Sequence, residues 1–245
     1  MNNNNTFKWS LEILPRHVGE VHQLPQWVEE IYVTMIPGSD ISEVIQASAD
    51  LVEQGRTPIP HIAARGLESA EEFSSMLESL KQKGVRHLLQ IGGGVEDQQG
   101  PFTEVMDLMQ TGELQRVGFE EIGIAGHPEG NPSDPDAENS LLRKTKWAEE
   151  QGIPTRIVTQ WSFDSQVVNE RIGRLREQGV NTPAQGEVEV TLPPSTARRG
   201  PWPAARCHGG GAWVTPTSRS APACGCAAAA EQCRHPPRGD CLLYT

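Results

Sequence analysis

Six short runs of β-forming residues alternate with helical patterns along the first 183 residues, one unit every 25 to 35. That alternation limits the chain to very few architectures. The strand runs are 7–14, 30–35, 58–63, 86–91, 119–125 and 154–160. Helical periodicity fills 39–54, 68–83, 101–111, 136–151 and 165–178. Most of these segments stop at a glycine (Gly55, Gly84, Gly152, Gly179), the residue that most readily closes a helix. In 68–83 the apolar residues Phe73, Met76, Leu77 and Leu80 share one face. Strands separated by helices demand a parallel sheet with crossovers. A doubly wound sheet and a (β/α)8 barrel both satisfy this, and the polar residues favour the barrel. Glu12, Thr34, His61, the run Gly92, Gly93, Gly94, His127 and Gln160 each stand at or near the C-terminal end of a different strand. A barrel gathers all such ends into one ring, where its active sites form. A doubly wound sheet spreads them along an edge. The expected fold is therefore α/β, a TIM-type (β/α)8 barrel that is incomplete, with about six βα units. A full barrel takes ~250 residues, and here the pattern stops near residue 183.

Composition breaks at the same place. Residues 1–183 carry 15 Lys+Arg against 28 Asp+Glu, whereas 184–245 carry 6 against 4 and no Lys, Ile, Phe, Met or Asn. The second segment is rich in Ala, Arg, Gly and Pro and shows no sustained hydrophobic period. Two regions follow: a partial barrel over 1–183, and a low-complexity tail over 184–245. The tail reads as a disordered segment, a small Cys-rich module, or GC-rich coding DNA translated out of frame. It holds all five cysteines, Cys207, Cys224, Cys226, Cys233 and Cys241. With His235 they could supply zinc ligands, but the spacing is not that of a paired CxxC site, so no metal is expected. The net charge of −11 excludes a general nucleic-acid or anionic-membrane binder. No apolar run is long enough to span a bilayer. The Asn-rich start has no signal-peptide pattern, so the expected location is cytoplasmic.

Seven motifs, in order over residues 10–164, resemble segments of the 5,10-methylenetetrahydrofolate reductase family. Ser10-Leu-Glu12-Ile-Leu-Pro15 is similar to its S-x-E-x-x-P opening. Tyr32-Val-Thr34, Pro60-His61 and Val85-Arg86-His87 resemble its next three strand segments. Ile124 to Pro132 (IAGHPEGNP) resembles its A-x-Y/H-P-E-x-H-P segment. Leu141 to Lys146 (LLRKTK) resembles its L-x-x-L-K-x-K helix, and Ile157 to Asp164 (IVTQWSFD) its I-T-Q-x-x-F-D strand end.

The resemblance implies FAD-dependent reduction of 5,10-methylenetetrahydrofolate to 5-methyltetrahydrofolate by NAD(P)H. It implies a folate substrate, FAD as cofactor and NAD(P)H as co-substrate. Glu12 matches the family's catalytic acid, a role that suits a carboxyl among apolar neighbours; a paired barrel carboxylate is the other reading. Gln160 and Phe163 match substrate-binding positions. Thr34, His61 and His127 match FAD-contacting positions, although a hydrogen-bonded core histidine also explains the latter two. Lys146, or Lys144 with a slip in register, matches a residue that meets the FAD phosphates; a solvated helix face explains either lysine. The chain departs from the family at strand four, where Gly92, Gly93 and Gly94 replace an R-G-D ending. Glycines there let backbone approach a ligand but offer no carboxylate. Two further readings stay open: an inactive truncated barrel, and a flavin-free barrel that binds folate. An open barrel leaves two sheet edges, so a homo-oligomer is one expected outcome.

Overall fold

The computed structural model describes residues 9–185, apart from Val95, Asp97, Ser133, Trp161 and Phe163, and the backbone of Leu243 and Tyr244. Seven parallel strands lie side by side in chain order: β1 (Trp9–Ile13), β2 (Val28–Val33), β3 (Thr57–Ala63), β4 (His87–Ile91), β5 (Glu121–Gly126), β6 (Thr155–Thr159) and β7 (Ala184–Gln185). An eighth, β8 (Leu243–Tyr244), runs antiparallel to β1 opposite Leu11 and Glu12. The helices are α1 (Ile41–Glu53), α2 (Ala70–Gln82), α3 (Val105–Gln110), α4 (Glu113–Val117), α5 (Ala137–Glu150) and α6 (Ser165–Glu177).

Sequential strand order excludes a doubly wound sheet, in which the order must reverse at a switch point. Right-handed crossovers that always step the same way put every helix on one face of the sheet. The other face can leave water only by curling onto itself. This is the physical content of the α/β barrel-like fold.

The core divides accordingly. A large apolar layer between sheet and helices includes Leu11, Ile31, Ile62, Leu88, Ile124 and Ile157 from the strands and Leu51, Phe73, Leu77 and Leu80 from the helices. A small second cluster, Tyr32, Ile59, Leu89 and Val158, lies on the inner face. The alternation of strand side chains separates the two. Gly123, on β5, makes room for Leu89 on the inner face: a Cβ there would stand 2.8 Å from Leu89 Cδ1.

Polar side chains show how far the sheet curls. Arg156 on β6 donates to Glu30 on β2 at 2.7 Å and also pairs with Glu121 on β5 at 2.7 Å. Four strand spacings of about 4.8 Å would hold β2 and β6 roughly 19 Å apart in a flat sheet. Gln185 on β7 donates to Ser10 Oγ on β1 at 2.7 Å and accepts from Tyr32 Oη at 3.3 Å. The first and seventh strands are thus bridged through the interior.

Three expectations need correction. The seventh parallel strand lies within the segment read as irregular tail, and so does β8, so the strand count exceeds six. The helix expected over 101–111 is only α3, with α4 after the turn at Gly112. A 3-10 segment, Pro15–Gln23, links β1 to β2 where no periodicity announced it. The cysteines of the tail lie outside the described residues. Among the described residues no helix is long and apolar enough to cross a membrane.

Candidate functional site at the C-terminal strand ends

Strands β1 to β6 all end at one cavity of about 430 Å³. Glu12, Thr34, His61, Gly92, Gly93, His127 and Gln160 all line it, beside Arg65, Glu104, Asp134 and Lys144. The strand-end residues singled out from sequence are therefore brought together, with three exceptions. Gly94 turns away and lines a neighbouring cavity. Lys146 is exposed on α5, and the lysine that reaches the cavity is Lys144. Phe163 lies outside the described residues.

Glu12, on β1, accepts a hydrogen bond from Thr34 Oγ1, just beyond β2, at 2.8 Å. This fixes the carboxylate's orientation; its second oxygen has no hydrogen bond among the described residues. His61, on β3, is 5% exposed, its ring edge-on to Tyr32 at 6.1 Å. Its Nε2 is buried with no hydrogen-bond partner among the described residues. Burial holds its pKa below the usual histidine value, against the opposing pull of Glu12. The ring is therefore neutral, with one nitrogen free to donate or accept according to tautomer. Tyr32 is pushed well above the usual tyrosine value, chiefly by burial, so its hydroxyl stays protonated.

The opposite wall carries two cations, Arg65 and Lys144, beside Glu104 and Asp134. Burial holds Lys144 below the usual lysine value, with help from Arg143 and Arg65 and against Asp134 and Glu104. Among the described residues no carboxylate reaches ion-pair distance of its ammonium. Glu104 instead pairs with Arg143 at 3.8 Å, and Asp134 accepts from the backbone N–H of Asp136 at 3.1 Å. His127 is likewise held low, by burial and then by Lys144.

Arg65 was not foreseen. It lies in the 3-10 turn Ala64–Gly66 directly after β3. Sequence reading treated the glycine run as a surface offered to a ligand, whereas Arg65 packs on it. A hint was present: an arginine stands immediately past a strand end with no acid beside it in the run His61 to Leu67. Lys144 and Arg65 are the lysine and arginine that line the cavity. No carboxylate replaces the one missing from strand four. Among the described residues no group of three potential metal ligands occurs.

No family model matches the chain. A solved structure of similar shape is an N-acetylneuraminate lyase from Fusobacterium nucleatum complexed with pyruvate, with TM-score 0.43 and 12% identity. The match covers 71% of this chain and only 55% of the lyase. A likeness of that size carries neither the lyase's reaction nor its pyruvate to this chain. The comparison nonetheless leaves the expected reduction of methylenetetrahydrofolate through FAD and NAD(P)H without standing: the structural similarity found is to a lyase. Arg65, from the turn after β3, packs on the glycine run where the family's motif has an acid.

Proposed function

We propose that the cavity is an enzyme active site for a phosphate-bearing organic ligand, with Lys144 meeting the anionic end and Glu12 exchanging a proton at the other. One observation carries this reading. Strand-end side chains from β1, β2, β3 and β6 converge on a cavity that also holds a half-buried lysine with no carboxylate at ion-pair distance among the described residues. A cation removed from water without a partner is costly, and a bound anion removes that cost. Barrel-like folds place their chemistry at this end of the strands.

Glu12 is the proton-transfer group because Thr34 holds one oxygen and leaves the other for the ligand. FAD is the phosphate-bearing ligand that the sequence resemblance implies; when bound, a flavin supplies electron transfer.

The test is titration of the full chain with FAD, followed by flavin fluorescence, and with inorganic pyrophosphate, followed by calorimetry. A charge-assisted contact is worth ~1.5–3 kcal/mol, so Lys144→Met is expected to weaken binding about tenfold or more. Lys146→Met, on the exposed face of the same helix, is expected to bind as the parent does. Failure of the parent chain to bind either probe, or parent-like binding by Lys144→Met, overturns the reading.

A further inference from the structure

The glycine run at the end of β4 has a structural partner. Arg65 is tied to it twice: its backbone N–H donates to the Gly92 carbonyl at 3.1 Å and Nη1 donates to the Gly93 carbonyl at 2.7 Å, while its own carbonyl accepts from Gln99 N–H at 2.8 Å. A Cβ on Gly92 would lie 3.0 Å from that same Nη1. Gly93 has φ +77°, a conformation that disfavours side chains; it aims the accepting carbonyl. The remaining guanidinium edge, Nε and Nη2, has no partner among the described residues, and Arg65 lines the cavity.

We infer that Arg65 is the anchor for a dianionic phosphate group and that the Gly92–Gly93 turn seats it, an inference resting on the anion-binding reading above. The free edge of the guanidinium offers two parallel donors, the spacing that two phosphate oxygens accept. Lys144 faces the same cavity as a second cation without a carboxylate at ion-pair distance. Glu104 and Asp134, which also line it, are engaged with Arg143 and with the Asp136 backbone. Two unneutralised cations favour a double negative charge over the single charge of a monocarboxylate. Burial, which chiefly holds the Lys144 pKa down, costs the cation less once the same ligand is bound.

Calorimetric titration of the full chain with inorganic pyrophosphate and with acetate tests this. The parent is expected to bind pyrophosphate about tenfold tighter than acetate or better. Arg65→Met is expected to weaken pyrophosphate binding about tenfold, and Arg65→Lys to recover part of the loss. Gly92→Val, which crowds Nη1, is expected to weaken binding several-fold when Arg65 is present and not further in the Arg65→Met background. Thermal unfolding confirms that each variant is folded, and Arg65→Lys with Gly92→Val suffices should Arg65→Met not fold. Parent-like binding by the Arg65 variants, or an equal effect of Gly92→Val in both backgrounds, overturns the inference. Loss of binding in Lys144→Met with none in Arg65→Met sinks the anchor alone, whereas a parent chain that binds no pyrophosphate sinks the anion-binding reading with it.

Discussion

A histidine that is 5% exposed, with one ring nitrogen lacking a partner among the described residues, resists protonation in the native state, as His61 does. Its unfolded value is near 6.5, and burial sets the folded value lower. As pH falls through 6.5 the unfolded chain takes up a proton that the native chain refuses, so stability falls with pH; above 6.5 the penalty is absent. One such proton gives a slope of at most ~1.4 kcal/mol per pH unit. His127 acts in the same direction. We predict that urea midpoints measured from pH 8 to pH 5 decline and that His61→Gln makes the decline shallower. An unchanged slope in His61→Gln would place the proton elsewhere. The two lysines of α5 show how fine the residue scale is. At 100° per residue Lys144 lies roughly 60° from the buried Leu141 and Lys146 roughly 140° away. The helix pattern thus contained the distinction that motif matching blurred.

Secondary-structure elements are where local sequence speaks most clearly. The strand and helix bounds read from periodicity meet the observed β1 to β6, α1, α2, α5 and α6 within a few residues, because each buries one apolar face. α2 also carries its own start signal, Ser69 Oγ accepting from the Glu72 N–H at 3.1 Å. The 3-10 segment Pro15–Gln23 escaped because its only strong marker, Pro15, equally well ends a strand. β4 holds an anomaly at this scale. Its outward side packs into the helix layer, yet Gln90 is fully buried there, paired in register with Ile62 and Ile124, and neither end of its amide has a partner among the described residues. An unsatisfied buried polar group costs about 1–3 kcal/mol. Gln90→Met, of similar length and apolar, is therefore expected to stabilise the chain by ~1–2 kcal/mol, read as a higher urea midpoint. A lower midpoint would mean that the amide has a partner in solution.

At the scale of the whole molecule, closure rests on few contacts. Arg156, Glu30 and Glu121 join β6, β2 and β5 across the floor of the barrel, their side chains 15–25% exposed. Removing the cation leaves two carboxylates facing one another. Arg156→Met is predicted to cost ~3 kcal/mol, and adding Glu30→Gln to restore part of it. An unchanged denaturation midpoint in Arg156→Met would show that the sheet holds its curl without this cluster. Gln185 matters for the same reason: it bonds both β1 and β2 from the seventh strand, inside the segment whose composition suggested no structure.

Hydrophobic period is a short-range property, written over about ten residues, so the chain alone determined the alternation of strand and helix, the parallel sheet and the polar residues at strand ends. Sequential topology then sufficed to bring those ends to one cavity. Partner choice is different. Arg156 and Glu30 are 126 residues apart, and Arg65 and Gly93 are 28 apart; no local period couples them. Whether the glycine run would cradle a ligand or seat an arginine depended on which side chain from another strand reached it first. Only the curled tertiary structure decided that, because only it sets which distant groups share a space closed to water.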